Sequence, residues 1–350
     1  MSRQRKDEHL KLARILPQNE HSDFDYVHLI HQSLTNCNLA DIDLSSTFCN
    51  VKFPTPLYIN AMTGGSQNGK ILNQKLSIIA RELNLPMALG SASITLKDST
   101  TIDSFKIARS ENPNGFLIAN LGAEHPLENI LQVIEELEAD AIQLHLNVMQ
   151  ELLMPEGSRS FSHWTDNLAN IAQKVPVPII IKEVGFGMSK ETMLQLKELG
   201  FKTIDISGSG GTNFAAIENN RNNNLRTIFN DWGLSTTISL LESQNLQSDI
   251  DILASGGINN PLQAIKSLII GAKGVGLAGF LLHELDKNPV DIVIKHLQEF
   301  IDNLKITMVA LNAQNIQQLQ QCPVVLEEPL INWCQQRKIS LTHIQNRTIK

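Results

Sequence analysis

Apolar and polar positions along this 350-residue chain follow two alternating rhythms. Short aliphatic or β-branched runs recur as "PLYIN" (56–60), "MALGS" (87–91), "GFLIAN" (115–120) and "AIQLHLN" (141–147). They continue as "PIIIKE" (178–183), "TIDISG" (203–208), "DILASGG" (251–257) and "GVGLAG" (274–279), which makes eight. Each ends in a polar or glycine turn and gives way to a segment with helical spacing. In "GKILNQKLSIIARELNL", Ile71, Leu72, Leu76, Ile79 and Leu83 recur at that spacing. "NILQVIEELEA" and "KETMLQLKELG" repeat the pattern, and the second closes on a glycine suited to a helix C-cap. Continuous apolar strands alternating with helices predict a parallel sheet covered on its outer face. Eight such units predict an α/β fold, a closed (β/α)8 TIM barrel, with an open doubly wound sheet as the alternative. Residues 1–55 read as an N-terminal helical arm plus a loop or hairpin, and 56–313 as the barrel, ending in a long helix over about 290–313. Residues 314–350 read as a C-terminal helical tail. No linker, low-complexity run or second core interrupts the pattern, so a single domain is expected.

Composition narrows the functional classes. Hydrophobic residues make up 42% and charged residues 19%, which suits a soluble protein with a sizeable core. With 29 basic against 36 acidic side chains the net charge is −7, which opposes a nucleic-acid surface but leaves room for a local anion site. The N-terminus "MSRQRKDEHLKLAR" lacks an apolar core, and no apolar run reaches the ~18 residues of a membrane span. Cys37, Cys49, Cys322 and Cys334 form no close pair, which disfavours zinc and suits free thiols in a reducing cytoplasm.

A barrel gathers its chemistry at the C-terminal ends of its strands. Those ends read "NAMTGG", "GSAS", "ANLG", "LHLNVMQE", "KE", "SGSGGT", "SGGI" and "LAGF". Glycine turns after the sixth, seventh and eighth strands point to a phosphate-bearing cofactor, because bare backbone amides can approach an anion there. "SGSGGT" departs from the dinucleotide pattern G-x-G-x-x-G, since position 213 is Asn. The stretch 209–234 is long for a compact domain and suggests a lid or binding loop. Lys182 on an apolar strand needs a partner: a salt bridge to Glu183 or Asp205, or, as we favour, a cofactor anion or electron-rich ring. Adjacent strand residues point to opposite faces, which disfavours Glu183. Taken alone, Glu151 suits a helix N-terminal carboxylate, with a hard cation as the alternative. His145 alone suits a hydrogen-bonded core position.

Together, "RKDEH", "NAMTGG", "LHLN..QE...PEG", "SGSGGTNFA.IE..R" and "WG..T" resemble type 2 isopentenyl diphosphate isomerase, in order from residue 5 to the tail. The resemblance implies conversion of isopentenyl diphosphate to dimethylallyl diphosphate with reduced FMN, Mg2+ and NADPH or a similar reductant. It implies that Ala61, Met62 and Thr63 line the flavin, with Ser91 and Asn120 beside its ring and Lys182 near its polar edge. Ser207, Thr212, Gly256, Gly257, Ala278 and Gly279 would hold the ribityl phosphate. Arg5 and Lys6, with His9 nearby, would grip the diphosphate, and Glu151 would hold Mg2+. Gln150 would contact the substrate, and His145 and Asn147 would complete its wall as candidate catalytic groups. A homo-oligomer, tetramer or octamer, is implied as well. Ala92 and Ser93 stand where the family commonly has Gln and then Arg or Met, and Ser158 replaces a usual acidic residue.

Three rivals deserve comparison. An FMN-dependent 2-hydroxy acid oxidase or dehydrogenase would use a His/Arg pair near the seventh strand, which "SGGINN" lacks. Inosine monophosphate dehydrogenase would need a cysteine in the loop after the sixth strand, which "SGSGGTNF" lacks. A non-catalytic flavin-binding protein would have no use for "QE" and "RKDEH".

Overall fold

Eight parallel strands close into a barrel in chain order in this computed structural model, which describes residues 3–16, 22–222 and 226–347. The strands are β1 (Leu57–Ile59), β2 (Met87–Ala88), β3 (Leu117–Gly122) and β4 (Ala141–Leu146), followed by β5 (Ile179–Glu183), β6 (Thr203–Asp205), β7 (Asp251–Ser255) and β8 (Gly274–Leu277). Closure is direct, because Val275, Gly276 and Leu277 of β8 pair with Leu57, Tyr58 and Ile59 of β1. All eight apolar runs therefore become strands of one barrel, and the doubly wound alternative is excluded.

The helices follow the expected spacing. Gln67–Leu83 buries Leu72, Leu76 and Ile79 against the barrel and leaves Ile71 exposed. Lys190–Glu198 stops just before Gly200, whose φ of 99° only glycine adopts without strain. The long helix runs from Val290 to Ala310.

The barrel interior is layered, because alternate residues of each strand point inward. At the N-terminal end an apolar layer of Tyr58, Ala88, Ile118, Ala141, Ile180 and Leu253 is packed by Phe48, Cys49 and Phe53. These last three come from an antiparallel hairpin, Ser46–Phe48 with Val51–Phe53, which plugs the bottom of the barrel. The Phe48 ring lies 4.5 Å from that of Phe53 and 6.0 Å from that of Tyr58, centroid to centroid. Phe48→Ala should destabilise the chain by about 3–5 kcal/mol, as expected for deleting a fully buried aromatic, seen as a lower denaturant midpoint at unchanged slope.

Above this layer the inward positions turn polar: Asn60, Asn120, Gln143, Lys182, Asp205 and Ser255, all buried. This second layer is the floor of the mouth.

The arm and the long loop form the roof. Helix α1 (Arg3–Ile15) packs against the helix Phe214–Arg221, which occupies much of the 209–234 stretch. Arg221 fastens the two by pairing with Glu8 at 3.3 Å and with Glu156 and Glu218. Ser66 Oγ donates to Asp7 at 2.7 Å, and Arg14 pairs with Asp286 at 2.9 Å on the far side. The tail is not purely helical, since Val324–Leu326 pairs antiparallel with Val27–Leu29 before the helix Glu328–Arg337. Such three-residue strands leave too short a pattern to read from sequence.

Candidate active site

Backbone alone shapes one side of the mouth. The loops after β6 and β7 pack main chain on main chain. A Cβ on Gly256 would lie 2.0 Å from the Gly208 carbonyl oxygen, and Gly256 has φ of 96°. A Cβ on Gly257 would lie 2.6 Å from the Gly210 carbonyl carbon. Beside them the helix Gly279–Lys287 begins after Ala278, with no side-chain cap on its N-terminus. Its first amides lack helical acceptors and therefore favour an anion. Ser207, Thr212, Gly256, Gly257, Ala278 and Gly279, all singled out for a phosphate, line the same cavity at this end.

The floor is a continuous chain of hydrogen bonds. His145 Nδ1 lies 2.9 Å from Asn120 Oδ1, and Asn120 Nδ2 donates to Gln143 Oε1 at 3.1 Å. Gln143 Nε2 reaches Asn60 Oδ1 at 3.5 Å, and Asn60 Nδ2 donates to Asp205 Oδ2 at 3.0 Å. Burial, reinforced by Lys6, His125 and Lys182, pulls His145 down to about 3. The imidazole is therefore neutral near pH 7. Its bond to the Asn120 oxygen puts the proton on Nδ1 and leaves Nε2 as an acceptor. Lys182 lines the cavity, donates to the Glu183 carbonyl at 2.8 Å and stands 3.4 Å from Asp205 Oδ2. The salt bridge to Asp205 is thus made, alongside the exposure to the cavity. Burial pushes the Glu183 carboxyl up to about 8, although its Oε2 accepts three backbone N–H groups from 184–186.

The opposite wall carries the substrate candidates. His145 and Asn147 come from the end of β4, and Gln150 and Glu151 from the short helix Val148–Leu153 that follows. Asn147 Nδ2 donates to Gln150 Oε1 at 3.3 Å and to Glu151 Oε1 at 3.1 Å, while Asn147 Oδ1 is buried without a partner. Ser158 N–H donates to Glu151 Oε2 at 2.7 Å. The departure at Ser158 therefore leaves that support intact, because the backbone provides it. Lys6 drops from α1 onto the Ser91 carbonyl at 2.8 Å, and burial, with Arg5 adding, pulls it down to about 7. Ala61, Met62, Thr63, Ser91 and Asn120 line the cavity between these two ends. Ser93 bonds both Ser91 and His125, which gives its loop a local structural role.

Two arm residues behave differently from Lys6. Arg5 is buried outside the cavity lining, with its guanidinium 3.0 Å from Glu156 Oε1 and 3.7 Å from Met154 Sδ. His9 lines the cavity and contacts Glu218 at 2.7 Å. Glu218, Asn60 and Gln143 escaped the sequence reading, while Asp205 entered it only as a candidate partner of Lys182. Gln143 carried a signal, since polar residues at 143, 145 and 147 alternate along one strand face. Glu218, fully buried, sits in a helix whose sequence reads as solvent-facing.

The donor sets match the groups expected of them. Bare amides at an uncapped helix start and a polar floor suit a phosphate-bearing flavin. Glu151 is the only carboxylate among the described residues lining the cavity, and no cluster of three or more His, Cys, Asp or Glu occurs among the described residues. That suits Mg2+, which takes few protein carboxylates and completes its shell with phosphate oxygens and water.

Comparison with known proteins agrees with this geometry. Residues 138–325 match the FMN-dependent dehydrogenase family. Isopentenyl-diphosphate delta-isomerases from Staphylococcus aureus strains JH9 and Newman are each 44% identical over 339 residues, covering 97% of both chains. The chain belongs to the FMN-dependent isopentenyl-diphosphate delta-isomerase family. Among solved structures, a flavocytochrome b2 mutant with benzoylformate superposes with a TM-score of 0.68 at 17% identity, covering 98% of this chain and 85% of that one. Mandelate oxidase with (S)-2-phenylpropionate gives 0.66 at 14% identity, covering 91% and 98%. Likeness at that identity establishes the shared barrel alone. The loop after β7 reads Gly256-Gly257-Ile258-Asn259 in this chain and holds no histidine or arginine.

Proposed function

We propose that the chain interconverts isopentenyl and dimethylallyl diphosphate, with FMN in the mouth, Mg2+ at Glu151 and a nicotinamide such as NADPH keeping the flavin reduced. The observation that carries this reading is the pairing of a phosphate cradle with a wall whose single carboxylate, Glu151, is already engaged by Asn147 and Ser158. The reaction adds a proton at the terminal carbon of an unactivated alkene and removes one from C2. Acid–base catalysis requires groups within hydrogen-bond reach and of suitable pKa. His145 is neutral and offers only an acceptor toward the cavity, so the wall holds no pair of side chains suited to both transfers.

Reduced FMN, when bound, supplies proton-donating and proton-accepting ring nitrogens. Lys6 would face the diphosphate, Glu151 would hold the Mg2+ that offsets its charge, and Arg5 keeps Glu156 paired beneath the arm. Gln150 and Asn147 press the alkene toward the floor, while the arm and the 214–221 helix exclude water. Asn120 fixes the His145 tautomer, so that side of the wall presents a lone pair.

Loading the chain with 5-deaza-FMN tests the reading, since carbon in place of N5 removes that position's acid–base capacity. Dimethylallyl diphosphate should form with reduced FMN and not with the deaza analogue. Full turnover with the analogue would overturn the flavin's part, and no product with either would overturn the substrate.

A further inference from the structure

Asp205 is the hub of the barrel floor. It is wholly buried at the end of β6, and donors from four strands or their ends converge on its two oxygens. Oδ1 accepts Ser255 Oγ at 2.6 Å and the Ser207 N–H at 3.1 Å. Oδ2 accepts Tyr58 Oη at 2.8 Å and Asn60 Nδ2 at 3.0 Å, with Lys182 Nζ 3.4 Å away. Four groups donate and the fifth carries a positive charge, which fits a carboxylate acting only as acceptor.

Lys182 meets few other charges. Glu183 follows it on β5, but that carboxyl turns to the backbone amides of 184–186. From β4, His145 is neutral. From β1, Tyr58 keeps its proton, because burial and then Asp205 hold the phenol well above its ordinary range. Lys6, on the arm, adds only positive charge. Asp205 is thus the counter-charge. One hydrogen of the ammonium goes to the Glu183 carbonyl, Asp205 pairs with the charge at 3.4 Å, and the side chain still lines the cavity.

We propose that Asp205 is a positioning residue: it keeps the Lys182 ammonium charged and aims it at the electron-rich pyrimidine edge of the flavin. The proposal rests on the reading that the isoalloxazine lies over this floor. A buried ammonium without its carboxylate sheds its proton far more easily. Asp205 therefore acts on the flavin without touching it.

FMN dissociation from the full-length chain, followed by flavin fluorescence from about pH 6 to 9, tests this with D205N, K182M and K182M/D205N. Wild type should hold FMN tightly and sets the reference profile, in which Glu183 titrates near 8. D205N should hold it about tenfold less tightly, with an extra loss toward high pH that wild type lacks. K182M should be weak with no such extra loss, and the double variant should match K182M. A D205N profile equal to wild type, or losses that add in the double variant, would overturn the assignment. If D205N fails to fold, thermal unfolding decides: K182M/D205N should recover the fold, because the unpaired buried cation has gone. Failure of both would make Asp205 a scaffold for Tyr58 and Ser255 and overturn the proposal. A wild-type chain that takes up no FMN would instead refute the flavin reading itself.

Discussion

Replacing Glu151 by Gln should lower kcat/KM for isopentenyl diphosphate by about two to three orders of magnitude, equivalent to roughly 3–4 kcal/mol. The substitution keeps the shape and one acceptor oxygen, which can still serve the Ser158 amide and hold the loop, at the cost of the bond from Asn147, whose donor would then face an NH2. What it removes is the only carboxylate among the described residues lining the mouth. No other carboxylate among the described residues lines that cavity, although Glu124 lies close enough that burial and the Glu151 charge push its carboxyl up. The signature is a KM for the diphosphate that no longer responds to Mg2+ concentration, while FMN absorbance and thermal stability stay near wild type. Steady-state kinetics across a Mg2+ series checks it. An unchanged Mg2+ dependence would show that the cation sits elsewhere.

Lys6 should produce the second large effect, and it carries a pH signature. Its ammonium donates to the Ser91 carbonyl, and burial with Arg5 nearby pulls it down to about 7. The group is protonated below that value and neutral above it. A diphosphate binds the protonated form, so kcat/KM, which reports the free enzyme, should fall as pH rises through about 7. Bound diphosphate raises the Lys6 pKa, and kcat at saturating substrate should stay flat over the same range. Lys6→Met should cost about 10- to 100-fold in kcat/KM, the size of a lost charge-assisted hydrogen bond, and should abolish the alkaline limb. Lys6→Arg should keep most of the affinity and also lose the limb, because guanidinium does not titrate there. A limb surviving in both variants would assign it to another group.

Strand order and the rim were legible because the physics behind them is local. Eight apolar runs could be read one at a time, and glycine turns after three successive strands marked where backbone lines the mouth. The alternation of Gln143, His145 and Asn147 offered an inward polar face within a single strand, though only His145 and Asn147 were taken from it. Asp205 was not legible as a hub, since its donors Tyr58, Asn60, Ser207 and Ser255 and its ion-pair partner Lys182 come from up to 147 residues away. Arg5 shows the same limit. The resemblance assigns it to the diphosphate, and its guanidinium lies 3.0 Å from Glu156 of the loop beyond β4, a pairing that sequence had no means of showing. A loop or hairpin was expected before the barrel, but only the closed barrel gives Phe48 and Phe53 a hole to fill.

The most direct test of the account is proton NMR of the FMN-loaded chain, reduced once and kept anaerobic with Mg2+ and excess isopentenyl diphosphate, while the flavin absorbance is followed. Dimethylallyl diphosphate should accumulate to many equivalents per enzyme while the flavin stays reduced, since the double-bond shift leaves no net oxidation. Flavin oxidation in step with product, or no allylic product from the reduced holoprotein, would contradict it.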